Sequence, residues 1–269
     1  MKEKKIIKKS PSSEIYSREY FMSDRCDGYN DFIKNKGLSY IKKKQLKHIA
    51  PKEGDRILDI GCGRSEVLYH CAKQGATVFG LDYSKDALDI SKTTLDGIKK
   101  TYLCCSCASP MPFKPEQFDK ILVGDVIEHL TPEESEKCVE EIGKILKKGG
   151  YVLIHTSPNV YFKKIIFPLL EFLFGLIGRS DSLNDIRLHI AQDNVHINEY
   201  SPFRFKKLIK SSGLESKVWI DKDILREGES RFTQGIAKSP LLKFISKVLA
   251  LRPFIYLFSN DFWAIGKKK

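Results

Sequence analysis

R-I-L-D-I-G-C-G-R-S-E, Arg56 to Glu66, begins as a strand and ends as a helix. Ile57, Leu58 and Ile60 are apolar and partly β-branched, the pattern of a parallel strand buried on both faces. Gly61 and Gly63 break that strand, and Val67, Leu68, Cys71 and Ala72 give the following segment an apolar helical side. Strand, glycine turn and helix form the arrangement in which backbone closely approaches a ligand at the carboxyl edge of a sheet.

Paired glycines alone are common in α/β proteins, and the residues around them sharpen the reading. A dinucleotide site wants a third glycine three positions on, with a helix N-terminus free for a pyrophosphate. Glu66 stands there instead and is expected to repel phosphate, while Asp59 supplies a second anion two residues before Gly61. Two carboxylates about a glycine turn suit a ligand with positive charge and no phosphate. S-adenosylmethionine, with its ammonium and sulfonium groups, is such a ligand. The next strand, Thr77 to Leu81, ends in Asp82. An acid about 20 positions beyond the glycines is placed for the two hydroxyls of an adenosine ribose. NAD carries the same ribose, so Asp59 and Glu66 make the distinction, and Asp82 does not.

L-D-I-G-C-G, G-L-D-Y-S, F-D-K-I-L-V-G-D-V-I-E-H-L, L-K-K-G-G-Y-V-L-I-H-T-S-P-N and H-I-N-E-Y-S-P-F follow one another along the chain. In this order they resemble the class I S-adenosylmethionine-dependent methyltransferases, nearest the group of ubiquinone-type O-methyltransferases and methyltransferases of type 11. The resemblance is firm from Ile57 to Asn159 and weaker out to Lys267. It implies an α/β, Rossmann-like, seven-stranded, mostly parallel sheet with helices on both faces and an antiparallel last strand. It further implies S-adenosylmethionine as cofactor, bound by Asp59, Gly61, Cys62, Gly63, Asp82, Tyr83 and Asp125. Two departures stand out. Ser65 occupies a position where the family usually has glycine, and Cys107 stands where relatives often hold the adenine amino group with an aspartate. Adenine contacts are therefore expected from backbone near Cys107 and Ala108.

The 269 residues suffice for one large α/β domain with additions. Residues 1–50 read as an N-terminal helical cap, and residues 51–269 as the methyltransferase domain with an apolar insertion at about 160–195. In the family, N-terminal helices close over the cofactor. Tyr16 and Tyr20 are the cap aromatics expected near the sulfonium or adenine. The formal charge of +12 calls for an anionic partner or surface, or reflects lysine-rich solvated faces. Met1 to Ser10 lacks the sustained apolar run of a signal peptide, and the seven cysteines follow no disulfide framework, which fits a reducing cytoplasm. Cys104 to Cys107 lacks metal-ligand spacing and has no partner cluster, so no metal is expected.

Downstream, Ser84 caps a helix through Thr93, Thr101 to Cys105 is the third strand and Phe118 to Gly124 the fourth. Thr131-Pro132-Glu133-Glu134 carries a capping box with proline at the first helical position, and the helix is expected to run to Lys148 and stop at Gly149-Gly150. Tyr151 to Thr156 is the fifth strand. Ile165 to Ile177, flanked by Lys163, Lys164 and Arg179, is nearly all apolar and too short to span a bilayer. It reads first as a lid lining an acceptor pocket, with a peripheral membrane contact through 161–179 or an oligomer contact as the alternatives. Ser216 to Asp221 and Phe262 to Gly266 are the last strands.

Methyl transfer from a sulfonium needs alignment, exclusion of water and a proton acceptor when the methyl acceptor is a hydroxyl. His129 and His196 are the candidate bases. The ubiquinone-type E-x-x-E-H stretch has been linked to divalent cations, and this chain has D-x-x-E-H at Asp125, Glu128 and His129. The expected activity is O-methylation of a small-molecule, lipid-linked or glycan acceptor. An RNA methyltransferase is the alternative that charge favours, but no RNA-binding module or N-P-P-Y-type motif accompanies it. A non-catalytic cofactor-binding protein is disfavoured by the intact set of Asp59, Gly61, Gly63 and Asp82.

Overall fold

The computed structural model describes residues 10–176, 178, 180–184, 186–187, 195–223 and 240–269. Ile177, Arg179, most of the stretch 185–194 and the first nine residues, which enter the readings above, lie outside the described residues.

In chain order, the N-terminal part holds α1 (Arg18–Phe21), α2 (Tyr29–Phe32) and α3 (Tyr40–Ile49). The alternating core follows: β1 (Arg56–Ile60), α4 (Glu66–Lys73), β2 (Thr77–Asp82), α5 (Lys85–Thr94), β3 (Thr101–Cys105), β4 (Phe118–Gly124), α6 (Pro132–Ile145) and β5 (Leu146–Thr156). Beyond it come α7 (Phe167–Leu176), α8 (Pro202–Ser211), β6 (Glu215–Ile220), α9 (Pro240–Leu249), α10 (Ile255–Phe258) and β7 (Phe262–Lys267).

The seven strands form one sheet in the order β3-β2-β1-β4-β5-β7-β6. β1 to β5 pair in parallel, and β7 runs antiparallel between β5 and β6. Strand order reverses at β1, whose two neighbours are β2 and β4, and a crevice opens there at the carboxyl ends. Alternation along the strands sends side chains to opposite apolar layers. Leu58, Ile60, Ile121 and Val123 pack with Val139 and Ile142 of α6 and Phe205 and Ile209 of α8. Ile57, Val78, Leu122 and Trp263 pack on the other side with Ile41 and Ile49 of α3 and Leu68 of α4. Each such fully buried aliphatic or aromatic side chain contributes roughly 1.5–3 kcal/mol. α3 therefore belongs to the sheet's own helical layer, and only α1, α2 and the segments around them act as a cap.

The capping box forms as read from sequence. Thr131 Oγ1 accepts the Glu134 amide at 3.2 Å, and Glu134 Oε2 accepts the Thr131 amide at 2.8 Å. The helix end is different. α6 stops at Ile145, three residues short of Lys148, because Leu146 already pairs with Phe118 as a strand residue. The register then shifts so that Lys120 meets Tyr151, and Lys147 to Gly150 form the irregularity between the two pairings. Gly150 is needed there, since a Cβ would stand 2.8 Å from the Asp119 carbonyl oxygen. The glycine pair is a strand bulge, not a helix stop.

The apolar insertion departs from its expectation too. A π-helical turn over Phe162–Ile166 leads into α7, which buries Phe167 against Leu183. Its other side faces outward, with Phe172 63% and Leu176 70% exposed. Among the described residues of 160–187, none lines the crevice, so the expected lid over an acceptor pocket is not what this segment forms.

Candidate active-site cleft

A cavity of about 500 Å³ fills the crevice, within the usual range for a small-ligand site. The ends of β1, β2, β4 and β5 form its floor, and the segment from Ser10 to Asp27 walls it from above. Every residue singled out from sequence as a cofactor contact or base lies on its lining. These are Asp59, Gly61, Cys62 and Gly63 after β1, Asp82 and Tyr83 after β2, Cys107 and Ala108 after β3, Asp125 and His129 after β4, and Tyr20 and His196 from above.

The turn after β1 is built by backbone. Gly61 has φ +73°, donates its amide to Leu81 O at 2.7 Å, and would carry a Cβ only 2.4 Å from Val126 Cγ2. Glycine is required there by packing as well as by conformation. Ser65 takes the left-handed conformation with φ +58°, which costs a side-chain-bearing residue about 1–2 kcal/mol. Its buried hydroxyl donates to Ser91 Oγ at 2.8 Å, and Ser91 donates to Gly63 O at 2.7 Å. The hydroxyl chain explains how serine stands where glycine is usual. The Cys62 side chain turns away from the cavity into the contact with Gly80, so it offers the ligand its backbone.

Asp82 is oriented by the same turn. One carboxylate oxygen accepts the Gly63 amide at 3.0 Å and the other the Ser84 amide at 2.9 Å, and each keeps a lone pair for a diol. Burial raises its pKa, against the pull of those amides. Asp59 is raised further, by burial and then by Asp82, so a cation beside it would favour its charged form.

Glu66 corrects the sequence reading. Its carboxylate is 3% exposed and lies 2.8 Å from Lys42 Nζ and 2.7 Å from Arg64 Nη2. The buried Arg64 guanidinium and the half-buried Lys42 ammonium neutralise it, so Glu66 is not available to distinguish a cationic ligand from a phosphate, which leaves only Asp59 of the two acids. The group acts as a clasp. Arg64 also donates to the carbonyl oxygens of Phe21 and Asp27, binding the cap to the glycine turn.

At the other end of the cavity, Asp125 sits with φ +55° and its carboxylate 2.9 Å from His155 Nδ1. His155 Nε2 lies 3.2 Å from Asp261, and the ring packs on Trp263 at 4.3 Å. Burial alone would lower the histidine's pKa, but Asp125 and Asp261 overcome it and push it up to about 10. The same pairing outweighs burial at Asp125 and holds its pKa low. Glu128 beside them is raised well above the ordinary value, by burial and then by Asp125, and accepts from Thr156 Oγ1 at 2.8 Å. His155 escaped the sequence reading because it stands inside an otherwise apolar strand. An ionisable residue in such a run was the available signal.

His129 Nδ1 lies 2.9 Å from Val195 O and 3.0 Å from the Tyr16 hydroxyl. A carbonyl oxygen only accepts, so Nδ1 carries the proton and Nε2 keeps its lone pair. Burial lowers the His129 pKa, against the opposing effects of Val195 and Asp125, and keeps the ring neutral. His196 packs beside it with ring centres 4.9 Å apart. Glu128, His129 and His196 bring one ligand atom each within 4.8 Å of one another. The motif-implied grouping of Asp125 with Glu128 and His129 is not what forms, since Asp125 is committed to His155.

Residues 58–154 match a family model described as a methyltransferase domain. The chain is 30% identical over 134 residues to an uncharacterized methyltransferase of Synechocystis, covering 49% of this chain and 60% of that protein. It is 25% identical over 189 residues to the ubiquinone biosynthesis O-methyltransferase of Vibrio cholerae, covering 68% of this chain and 71% of the other. Among solved structures, a Haemonchus contortus phosphoethanolamine N-methyltransferase 2 bound to S-adenosyl-L-methionine superposes with a TM-score of 0.59. That match has 20% identity and covers 94% of this chain and 60% of the other, a likeness of fold.

Proposed function

Since this chain carries a class I, S-adenosylmethionine-dependent methyltransferase domain, we propose that it methylates a hydroxyl oxygen of a small-molecule, lipid-linked or glycan acceptor. The observation that carries the reading is the single cleft. It has a diol acceptor, Asp82, and an unneutralised acid, Asp59, at one end, and a neutral, oriented imidazole, His129, at the other.

The cofactor, when bound, supplies a methyl group on a sulfonium that is already an activated leaving group. What remains falls to the chain. Asp82 would accept from the ribose hydroxyls, and the backbone at Gly61 to Gly63 would hold the amino-acid part beside Asp59. Backbone at Cys107 and Ala108 would contact the adenine. Tyr20, with its ring edge to Tyr16 at 5.2 Å, offers an aromatic face to positive charge. For a hydroxyl acceptor, His129 Nε2 would take the proton that the oxygen loses on methylation. Val195 and Tyr16 hold the ring for that transfer. His196 is the second candidate base. The oxygen acceptor is supported by the name of the Vibrio cholerae relative, an O-methyltransferase.

Calorimetry with S-adenosylmethionine and with NAD tests the cofactor, and transfer of labelled methyl to hydroxyl acceptors tests the reaction. Binding of NAD with none of S-adenosylmethionine would end the reading.

A further inference from the structure

At the β6 edge of the sheet, a groove of about 510 Å³ runs between α8, β6 and the segment 250–256. Phe205, Val218, Ile255 and Phe262 contribute apolar lining, and Lys206, Lys222 and Arg252 bring charge. No acidic side chain lines it among the described residues. Apolar side chains also stand out in solvent on the elements that build it. Phe203 is 66% exposed and Leu251 61%; on α9, which precedes the groove segment in the chain and does not line it, Phe244 is 64% exposed. Phe203 stacks on Tyr256 of α10, which ties α8 to α10. α10 in turn packs on the π-helical turn that leads to the exposed side of α7.

A surface of this kind is costly to leave in water, and its charge says what covers it. Phe162–Leu176, Pro202–Ser211 and Pro240–Phe258 together carry nine lysines or arginines and one acid, Glu171. That acid is paired with Arg187 at 2.9 Å. Large apolar side chains interspersed with cations that far outnumber the acids, here with Lys163 paired to Glu199, are the composition of an interfacial, in-plane membrane contact. No helix among the described residues is long and apolar enough to cross a membrane, so the contact would lie on the surface.

We infer that α8, α9 and α10, together with the outer side of α7, dock on an anionic lipid bilayer. The surface borders the active cleft. Asn159 donates to the Tyr256 and Ser259 carbonyl oxygens at 2.9 and 2.8 Å, and its amide donates to Asn260 Oδ1 at 2.9 Å. Asn260 is itself part of the cleft wall. Docking would hold the cleft beside the lipid, which favours an acceptor carried in the bilayer; that last step rests on the methyl-transfer reading, and the docking does not.

The test is sedimentation of the full chain with vesicles of phosphatidylcholine alone and of phosphatidylcholine with phosphatidylglycerol. The expected result is binding to the phosphatidylglycerol vesicles only, lost as salt rises. Lys247→Glu with Arg252→Glu, and separately Leu251→Asp with Phe254→Asp, should each lower partitioning on the order of tenfold or more. Both variants should keep the far-ultraviolet spectrum and S-adenosylmethionine affinity of the parent. Failure to bind either vesicle, or equal binding to both, would overturn the inference. So would a dimer in sedimentation velocity that Leu251→Asp dissociates, since a second copy would then be the occupant. Cofactor calorimetry on the same samples reports separately on the methyl-transfer reading.

Discussion

Replacing His155 with leucine should cost stability in a way that depends on pH. The imidazole is 1% exposed and lies between two carboxylates, at 2.9 Å from Asp125 and 3.2 Å from Asp261. Its rise from 6.5 to about 10 corresponds to roughly 5 kcal/mol favouring the charged ring. Asp125 opens partly into the cleft, and solvent screening there reduces the figure. A loss of about 3–4 kcal/mol near neutral pH agrees with what breaking a buried ion pair costs. Because the folded-state pKa is raised, this contribution is complete below about pH 6.5. It declines as pH climbs and is gone above about 10. The depressed pKa of Asp125 reports the same pair from the acid side and is not counted again. Urea unfolding should be followed by far-ultraviolet circular dichroism, since Trp263 packs on the substituted ring. The gap between parent and His155→Leu should shrink steadily from pH 6.5 to 10. Adding Asp261→Asn, which removes one of the two carboxylates beside the substituted ring, should recover part of the loss. A gap of constant size across that range, or one below about 1 kcal/mol at pH 7, would refute the argument.

Asp82→Ala should weaken S-adenosylmethionine binding by about 1.5–3 kcal/mol in calorimetry, through loss of the acceptor that Gly63 and Ser84 orient. His129→Ala should lower turnover on the order of 10²–10⁴-fold with cofactor affinity largely kept. The parent rate should rise with pH below about 6.5 and then level, because burial depresses this histidine and its neutral form is the base. His196→Ala, measured beside it, assigns the base, since only the variant that lacks the true base should show a flat pH profile. Gly61→Ala should destabilise by about 2–4 kcal/mol in urea titrations, from the Val126 clash and the left-handed backbone together. Adding Val126→Ala should return only the part due to the clash.

The fold was legible because β1, β2 and β4 are predominantly apolar and end at or just before glycine or aspartate, and because Thr131 to Glu134 signals its helix start locally. The end of the same helix was not, since Lys147 to Gly150 has the composition of a helix terminus and is a bulge only through its pairing with Phe118 and Lys120. The cleft followed from topology once the strands were placed, because residues that end parallel strands share an edge. Glu66 was misread because its neutralising partners are one close in sequence, Arg64, and one far, Lys42, and only packing joins them. His155 acquires its character from Asp125 and from Asp261, the latter more than 100 residues away, which no local pattern reveals. The apolar run after β5 was recognised, but composition alone does not say whether such a run faces inward or outward.

Arg64 belongs to the loop that cradles the ligand, yet its guanidinium holds the wall that closes over that ligand, at Phe21 and Asp27. Departure of a spent cofactor is therefore expected to require that wall to detach. Tightening the clasp should then lengthen product residence as it secures the substrate, an effect on release and not on the chemical step. Arg64→Lys, with fewer donors in a less rigid geometry, should loosen S-adenosylhomocysteine and speed its release together. Amide hydrogens around Tyr20 to Cys26 should exchange faster in that variant, at a rate that tracks the release rate.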